Sequence, residues 1–188
     1  MTKRRLVLLG GGHAHVHVLS RTARAPLAGV ELVLVSPSER HHYSGMVPGY
    51  LQGTYEEPDL AFDLCAIAAR AGARFVQAAA VRIDAGARTV EVAGERIGWD
   101  LLSVDVGSDP AGQEIPGVRE HASSIRPMSR AVALRLRAEE LFSAGRDKEV
   151  SLVVVGGGAA GFEVALALER LGRSRACRPK VTVVESGT

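Results

Sequence analysis

One pattern occurs twice in this sequence and limits the folds that the chain can adopt. Each copy has an apolar run, three consecutive glycines, a stretch of helical periodicity and a second apolar run. The copies span residues 6–9, Gly10–Gly12, 13–24 and 30–35, and then residues 152–155, Gly156–Gly158, 159–171 and 181–184. Apolar runs without polar alternation are typical of strands buried on both faces of a parallel sheet. The pattern therefore predicts an α/β, doubly wound fold with two Rossmann-like βαβ dinucleotide-binding units.

The segment between the two copies has a different pattern. Residues 56–71 have the periodicity of a helix. Short strands joined by turns are predicted after it, at residues 81–83, 88–93 and 101–106. We expect these strands to form a β-meander that is inserted into the first βαβ unit.

Proline and glycine are frequent from residue 109 to residue 127, which is typical of a linker. The chain ends soon after the fourth apolar run, so we expect the second unit to be truncated and the chain to be a fragment of a longer protein. The predicted organisation is a first domain, a linker and an incomplete second domain, at residues 1–115, 116–127 and 128–188.

The charge and hydropathy of the chain exclude several classes of protein. The formal net charge is +2, whereas dedicated nucleic-acid binders carry a basic excess on one face. No apolar stretch reaches the roughly 18 residues that a membrane-spanning helix needs, and no signal-peptide cleavage site follows the N-terminal run. We expect a cytoplasmic protein that does not bind nucleic acid, with peripheral membrane contact left open.

Two cysteines give no basis for disulfide or zinc chemistry. Cys65 and Cys177 leave no CxxC spacing. Cys65 lies in the predicted helix among apolar residues and is expected to be buried, whereas Cys177 follows a basic stretch and is expected to be exposed. A redox-active disulfide needs an attacking and a resolving cysteine close together, so the sequence does not favour a dithiol enzyme.

Three histidines near the N-terminus, His13, His15 and His17, raise the question of a metal site. After a glycine turn these residues should be helical, and only His13 and His17 then lie on one face. No carboxylate or cysteine lies near them in sequence to complete a ligand set. We predict no metal site.

The second glycine turn carries the full GxGxxG pattern at Gly156, Gly158 and Gly161. In this pattern the first glycine permits a tight turn, the second lets the backbone approach a pyrophosphate and the third lets the helix pack closely on the strand. Glu185 ends the following strand, where an acidic side chain accepts hydrogen bonds from the adenosine ribose. Because a carboxylate there repels a 2′-phosphate, we expect NAD rather than NADP.

The first glycine turn is less regular. Gly10 and Gly12 match the pattern, but His15 stands at the third glycine position and Ser36, not an acid, ends the second strand. Its place between a predicted strand and a predicted helix nevertheless indicates a nucleotide site. Two such units in one chain predict two bound dinucleotides.

Several segments carry a resemblance to a known family. They are residues 10–16, Ser36-Pro37, 43–49, 102–108 with Pro110, and 156–163. In these segments the chain resembles the two-dinucleotide-binding flavoproteins of the pyridine nucleotide-disulfide oxidoreductase superfamily, in the NADH dehydrogenase-like branch. It is most similar to the FAD-dependent proteins found beside, or fused to, selenide, water dikinase. In this branch a histidine at position 15 is ordinary.

The resemblance implies an FAD site in the first unit. The FAD pyrophosphate should lie at Gly10, Gly12 and His13, and Ser36 stands where relatives commonly have an acidic ribose ligand, with Arg40 or water as substitutes. Other residues that the resemblance places near FAD are Tyr43, Ser44 and Gly45 in the 43–49 loop, and Gly107 and Ser108. His41 and His42 are candidates to contact flavin or substrate, and the alternative is a solvated pair.

The resemblance also implies an activity. Glu163 corresponds to a glutamate that relatives place between the nicotinamide and flavin sites. We expect an NADH-dependent flavoprotein oxidoreductase that passes hydride to FAD and electrons to a quinone or another acceptor. The alternatives are a noncatalytic nucleotide-binding partner of a selenium-handling enzyme such as selenide, water dikinase, and a sulfide:quinone reductase-like protein. We expect the 188 residues alone to be inactive and to self-associate, for example as a homodimer.

Overall fold

The computed structural model describes residues 3–108 and 110–187. Within these residues it contains two short 3-10 helices, at Ser44–Met46 and Glu57–Leu60, together with eleven strands and six α-helices. The strands are β1 (Arg4–Leu9), β2 (Val30–Ser36), β3 (Arg40–His42), β4 (Ala61–Asp63), β5 (Arg74–Gln77), β6 (Ala80–Asp84), β7 (Thr89–Val92), β8 (Glu95–Gly98), β9 (Leu101–Val104), β10 (Glu149–Val155) and β11 (Arg178–Val184). The α-helices are α1 (His13–Arg24), α2 (Val47–Leu51), α3 (Leu64–Arg70), α4 (Val118–His121), α5 (Met128–Ala144) and α6 (Ala159–Ser174).

The chain divides into two compact units. The first comprises Met1–His42 and Ala61–Ser108, and the second comprises Tyr43–Leu60 and Asp109–Thr188. The first unit therefore ends before residue 115, where the sequence placed the end of the first domain. Residues 43–60 belong to the second unit although they interrupt the first in sequence. No local pattern indicates this, because the partners of these residues lie in α5 and α6, far along the chain.

A four-stranded parallel sheet with the order β5-β2-β1-β9 forms the centre of the first unit. On one face Leu8 and Leu34 pack with side chains of α1 and α3. On the other face Val7 and Val33 pack against the three-stranded sheet of β6, β7 and β8. All four residues are almost fully buried, and each contributes about 1.5–3 kcal/mol of hydrophobic stabilisation. The predicted parallel sheet with strands buried on both faces is confirmed in this unit. In the second unit the strands β10 and β11 have one exposed face, where Val153 and Val155 are 66% and 83% exposed.

The inserted β-meander is also present, but its strands differ from the prediction. Strand β8 was missed, because Ile97 is its only fully buried apolar residue. Residues 101–106 are not part of the meander. Residues 101–104 form β9, which pairs in parallel with β1 from Leu6↔Leu101 to Leu9↔Val104. Pairing between segments this far apart in sequence leaves no local signal.

Residues 56–71 do not form the single predicted helix. Only α3 is α-helical, and the Asp63 carboxylate accepts a hydrogen bond from the Ala66 amide (2.8 Å), which caps the start of α3. Before it, β4 pairs with β3 in antiparallel fashion. The Asp63 cap explains why the helix begins at Leu64.

The second unit contains a parallel pair of strands, β10 and β11, joined by α6. Phe142 of α5 and Leu171 of α6 are buried in its core together with Tyr50 and Leu51 of α2. The Arg135 guanidinium lies over the Tyr50 ring at 4.6 Å and donates to the Tyr55 carbonyl at 3.0 Å. These contacts hold residues 43–60 within the second unit.

Candidate functional site

The first glycine turn connects β1 to α1. Gly10 has a φ of +95°, a conformation that favours glycine, and a Cβ there would overlap the backbone of Asp105. The Gly10 amide donates to the Val35 carbonyl at 2.8 Å. Gly12 is the N-cap residue of α1, and its amide donates to the Asp105 carbonyl at 3.2 Å. Backbone amides at the start of a helix such as α1 favour an anion such as a pyrophosphate.

His15, at the third glycine position, ties this turn to the neighbouring strand. Its side chain is buried, with 1% exposure. Nδ1 lies 2.7 Å from the Gly10 carbonyl oxygen and Nε2 lies 2.9 Å from the Ser103 hydroxyl. Because a carbonyl oxygen can only accept, Nδ1 carries a proton and donates it there. The histidine therefore stabilises the turn through hydrogen bonds of its side chain. In the GxGxxG pattern a glycine at this position acts differently, by letting the helix pack closely on the strand.

Asp105, the first residue after β9, contributes a carboxylate to the same place. Its Oδ2 accepts a hydrogen bond from the Ala14 amide at 3.0 Å. A Cβ on Gly12 would overlap the Asp105 carboxylate group, so the carboxylate lies directly against Gly12. None of the sequence predictions assigned a role to Asp105. An acidic residue after a strand is a usable signal only once that strand is known to pair with β1.

An aromatic cluster lies near this carboxylate. The rings of His13 and His41 are 6.0 Å apart, and His41 stacks on Phe62 at 6.4 Å. Burial lowers the pKa of His41 below its ordinary value, the neighbouring His13 lowers it further, and Asp105 opposes the shift. At neutral pH His41 is therefore expected to be uncharged.

Ser36 and Arg40 lie at the end of β2 and in β3. The Ser36 side chain is buried, and its hydroxyl donates to the Ser38 carbonyl at 2.9 Å, so its proton is used in a local turn. Arg40 is exposed. The contact of either residue with the adenosine ribose stays a prediction.

The residues that follow β9 lie beside the first glycine turn. The Asp105 amide donates to the Leu9 carbonyl at 2.8 Å, and Gly107 adopts a φ of +78°. Gly107 and Ser108 follow within this same segment of the first unit. Their proximity to FAD stays a prediction.

Tyr43, Ser44 and Gly45 belong to the second unit, not to the unit of the first glycine turn. The Tyr43 amide donates to the Leu60 carbonyl at 2.9 Å, and Gly45 lies against the Tyr43 ring. Tyr43 is partly exposed. The expected contact of this loop with the flavin stays a prediction.

The second glycine turn repeats the geometry of the first. Gly156 has a φ of +109°, and its amide donates to the Val184 carbonyl at 2.8 Å, as the Gly10 amide does to Val35. A Cβ on Gly161 would overlap the Gly156 carbonyl, so only glycine fits there. Gly158 is the N-cap of α6, and no described atom lies within 4 Å of the position its Cβ would take. The turn therefore has an open cradle in front of the α6 amides.

Glu185 directs its carboxylate at this second turn. It accepts hydrogen bonds from the amides of Gly157 and Ser186. The Gly157 bond first, and then the Ser186 bonds, hold the pKa of Glu185 below its ordinary value, so the side chain is ionised at neutral pH. Glu163 lies on α6, two residues beyond Gly161, with an exposed side chain. Glu185 is thus positioned beside the glycine turn, and Glu163 faces solvent.

The cysteines are placed opposite to the sequence expectation. Cys65 is exposed, because the buried face of α3 is formed by Leu64, Ile67 and Ala68. Cys177 is buried, and its Sγ lies 3.5 Å from the Lys148 carbonyl. Both are free thiols, one in each unit.

Two kinds of site are absent from the part of the chain that the structure describes. It has no group of three or more His, Cys, Asp or Glu side chains arranged to hold a metal ion. Nor does any of its helices combine the length and the apolar composition needed to cross a membrane.

Comparison with solved structures shows a shared fold. Sulfide:quinone oxidoreductase from Aquifex aeolicus superposes with a TM-score of 0.78 at 21% identity, over 97% of this chain and 43% of that one. NDH2 from Plasmodium falciparum, in complex with NADH, gives 0.79 at 16% identity, over 98% and 42%. The water-forming NADH oxidase from Lactobacillus brevis, bound to NADH, gives 0.74 at 21%, over 97% and 40%. This chain therefore spans about two fifths of the length of these proteins.

Sequence comparison identifies the family. No curated protein sequence gives a match to this chain. The sequence profile described as pyridine nucleotide-disulphide oxidoreductase, however, matches residues 4–188. That match covers nearly the whole chain, including both glycine turns and the sheet that positions the first of them. The chain belongs to the pyridine nucleotide-disulphide oxidoreductase family.

Proposed function

We propose that this chain binds FAD at the first glycine turn and NADH at the second, as the nucleotide-binding part of an NADH-dependent flavoprotein oxidoreductase. The observation that carries the proposal is the repeated turn geometry. In each unit a parallel strand is followed by a glycine of positive φ, and the amide of this glycine donates a hydrogen bond to the neighbouring strand. A helix begins directly after the turn. The NADH-bound NDH2 and NADH oxidase structures share this fold, which supports the assignment.

Each turn has the chemistry that a dinucleotide pyrophosphate needs. At the first turn, Gly10 and Gly12 keep side chains away from the phosphates, and the first amides of α1 donate to them. At the second, the same task falls to Gly156, Gly158 and the first amides of α6. The residues of the second turn fit a pyrophosphate as they stand. At the first turn the Asp105 carboxylate lies against Gly12 and must rotate away before a pyrophosphate can bind there.

Glu185 is the residue that we expect to select NADH over NADPH. It is ionised, lies at the end of β11 and already accepts an amide of the glycine turn, where the ribose hydroxyls of NADH can donate to its free lone pairs. A 2′-phosphate would meet a like charge there, which is unfavourable.

Replacing this carboxylate is expected to remove the selectivity. Glu185→Ala should weaken NADH binding by about 1 to 3 kcal/mol, the cost of lost charge-assisted hydrogen bonds, and leave NADPH binding unchanged or better. Fluorescence titration of both nucleotides measures this. Glu149→Ala is a matched control, because Glu149 is an exposed acid at the opposite end of the same strand pair. Equal affinity of the unmodified chain for NADH and NADPH would contradict the role of Glu185.

The chemistry belongs to the cofactors. When bound, NADH supplies a hydride and FAD accepts it. The task of this chain is to hold the two nucleotides, and Glu163, on the exposed side of α6 just beyond the second turn, is our candidate to orient the reacting ends. The residues Tyr43, Ser44 and Gly45 are candidates for the flavin surroundings.

For the electron acceptor we propose a quinone. The sulfide:quinone oxidoreductase whose fold this chain shares supports it. Sulfide chemistry itself is less favoured, because Cys177 is buried and therefore not accessible as an attacking thiol. The association with selenide, water dikinase and the peripheral contact with a membrane stay predictions of the sequence.

One experiment tests the proposal directly. FAD is titrated into the purified chain, NADH is added without oxygen, and the flavin absorbance is followed. Binding of both nucleotides is the expected result. Loss of flavin absorbance would show in addition that the chain alone can transfer hydride from NADH to FAD. Binding without bleaching is the result expected if the 188 residues alone are inactive. Failure to bind either nucleotide would overturn the proposal.

The sequence also predicts self-association, and the second unit offers a surface for it. On one face of the β10–β11 pair the side chains of Val153, Val155 and Val184 are 66%, 83% and 47% exposed. Val153→Glu is expected to shift the chain from dimer towards monomer in sedimentation velocity, because it places a charge in that face. Val81→Glu, on an exposed strand of the first unit, is the control. An unmodified chain that sediments as a monomer would contradict the prediction.

A further inference from the structure

We propose that Asp105 sets the affinity of the first glycine turn for FAD, because its carboxylate competes with the FAD pyrophosphate for the amides of the α1 N-terminus. The inference rests on FAD binding at that turn. It assigns a role to a residue that lies on a neighbouring strand and not in the glycine pattern itself.

Two contacts place the carboxylate where a phosphate would bind. Oδ2 accepts a hydrogen bond from the Ala14 amide, one of the amides in the first turn of α1 that have no acceptor within the helix. The carboxylate also fills the space that the missing side chain of Gly12 leaves open. In the glycine pattern this space is the one that lets the backbone approach a pyrophosphate. The carboxylate and the phosphate therefore need the same place.

The second turn of the same chain shows the alternative arrangement. There the space above Gly158 has no described atom within 4 Å of the Cβ position. The acid of that turn, Glu185, binds the amides of Gly157 and Ser186 instead and leaves the helix N-terminus open. The space in front of the helix is thus filled by a carboxylate at the first glycine turn and open at the second.

The backbone of Asp105 is fixed, whereas its side chain can rotate. Its amide donates to Leu9 and its carbonyl accepts from Gly12, so the strand end cannot withdraw without breaking bonds on both sides. Only rotation of the carboxylate away from Ala14 clears the cradle. The cost of FAD binding then includes the loss of the Ala14 bond and the repulsion between a nearby carboxylate and the pyrophosphate charges.

The neighbouring His41 does not offset that repulsion. His13 and His41 are the basic side chains of α1 and β3 beside this site, and His42 adjoins them. Burial lowers the pKa of His41, so this ring adds no positive charge next to the carboxylate at neutral pH.

The test compares Asp105→Asn with the unmodified full chain for three ligands: FAD, ADP and adenosine. Asparagine keeps the shape and can still accept the Ala14 bond through its amide oxygen, but it carries no charge. We expect FAD and ADP to bind at least about tenfold more tightly to the variant, and adenosine, which has no phosphate, to bind equally to both. Isothermal titration calorimetry measures all three affinities.

Asp84→Asn is the matched control. Asp84 also accepts a backbone amide through its carboxylate, from Ala87 at 2.9 Å, but it lies in the inserted three-stranded sheet. The Asp84→Asn substitution removes the same charge and should leave the affinities for FAD, ADP and adenosine unchanged. Asp105→Ala, which also removes the Ala14 bond, should lower the melting temperature and still tighten FAD, a combination that a merely structural role does not produce.

Unchanged or weaker FAD binding in Asp105→Asn would overturn the inference, as would equal tightening of adenosine. Gly12→Asp separates this failure from failure of the site assignment. If Gly12→Asp loses FAD while Asp105→Asn changes nothing, the FAD site stands and the competition does not. If neither the unmodified chain nor Asp105→Asn binds FAD, both ideas are wrong.

Discussion

Gly12→Asp is expected to lower FAD affinity about a hundredfold or more, equivalent to about 2.7 kcal/mol, while NADH affinity stays unchanged. The substitution places a side chain and a negative charge where the pyrophosphate approaches α1, in a space that the Asp105 carboxylate already fills. Flavin retention through gel filtration and an FAD titration both measure the effect. The NADH affinity, which belongs to the other unit, reports whether the variant protein is intact.

The same substitution in the second turn is the reciprocal control. Gly158→Asp should remove NADH binding and preserve FAD binding, because the residue caps α6 and its neighbourhood is open enough to accept the side chain without strain. Gly12→Ala tests the first turn with a smaller change in case the aspartate variant folds poorly. A yellow Gly12→Asp protein with full flavin occupancy would show that FAD binds elsewhere.

His15→Gly restores the glycine pattern of the first turn, yet we expect it to destabilise the protein by about 3 to 5 kcal/mol. It removes a buried ring that binds the Gly10 carbonyl and the Ser103 hydroxyl, leaves a cavity and adds a glycine to a helix. Urea unfolding followed by circular dichroism measures the loss.

His17→Gly isolates the contribution of the ring. His17 is exposed on the same helix, so its replacement should cost only the difference in helix propensity between histidine and glycine, about 0.5 kcal/mol. The difference between the two variants is the stabilisation that His15 supplies through its contacts. Equal free energies of unfolding for the two variants would show that the histidine does not hold the turn.

The glycine turns were predictable because their signal is local. A continuous apolar run, a glycine at a positive φ and a helix follow one another within a few residues at Gly10 and again at Gly156. The sequence therefore gave both βαβ units, the family and the position of Glu185 at a strand end. It also showed that His15 broke the glycine pattern.

Features that depend on distant pairing could not be predicted in this way. β9 joins the parallel sheet through β1, and only that pairing brings the Asp105 carboxylate to Gly12. The exposure of Cys65 was assigned wrongly for a related reason. Its apolar neighbours suggested burial, but which face of α3 meets the sheet is decided by Leu64, Ile67 and Ala68.

The placement of residues 43–60 in the second unit has a consequence for how the protein assembles. The chain passes from one unit to the other after residues 42, 60 and 108, and the predicted linker at residues 116–127 lies inside the second unit. A single cut in that linker therefore does not separate the two units. Residues 109–188 expressed by themselves would lack Tyr50 and Leu51, which fill the core beside Phe142. During synthesis these early residues leave the ribosome long before α5 and α6 exist. Their apolar side chains therefore stay exposed until the last part of the chain has been synthesised and packs over them.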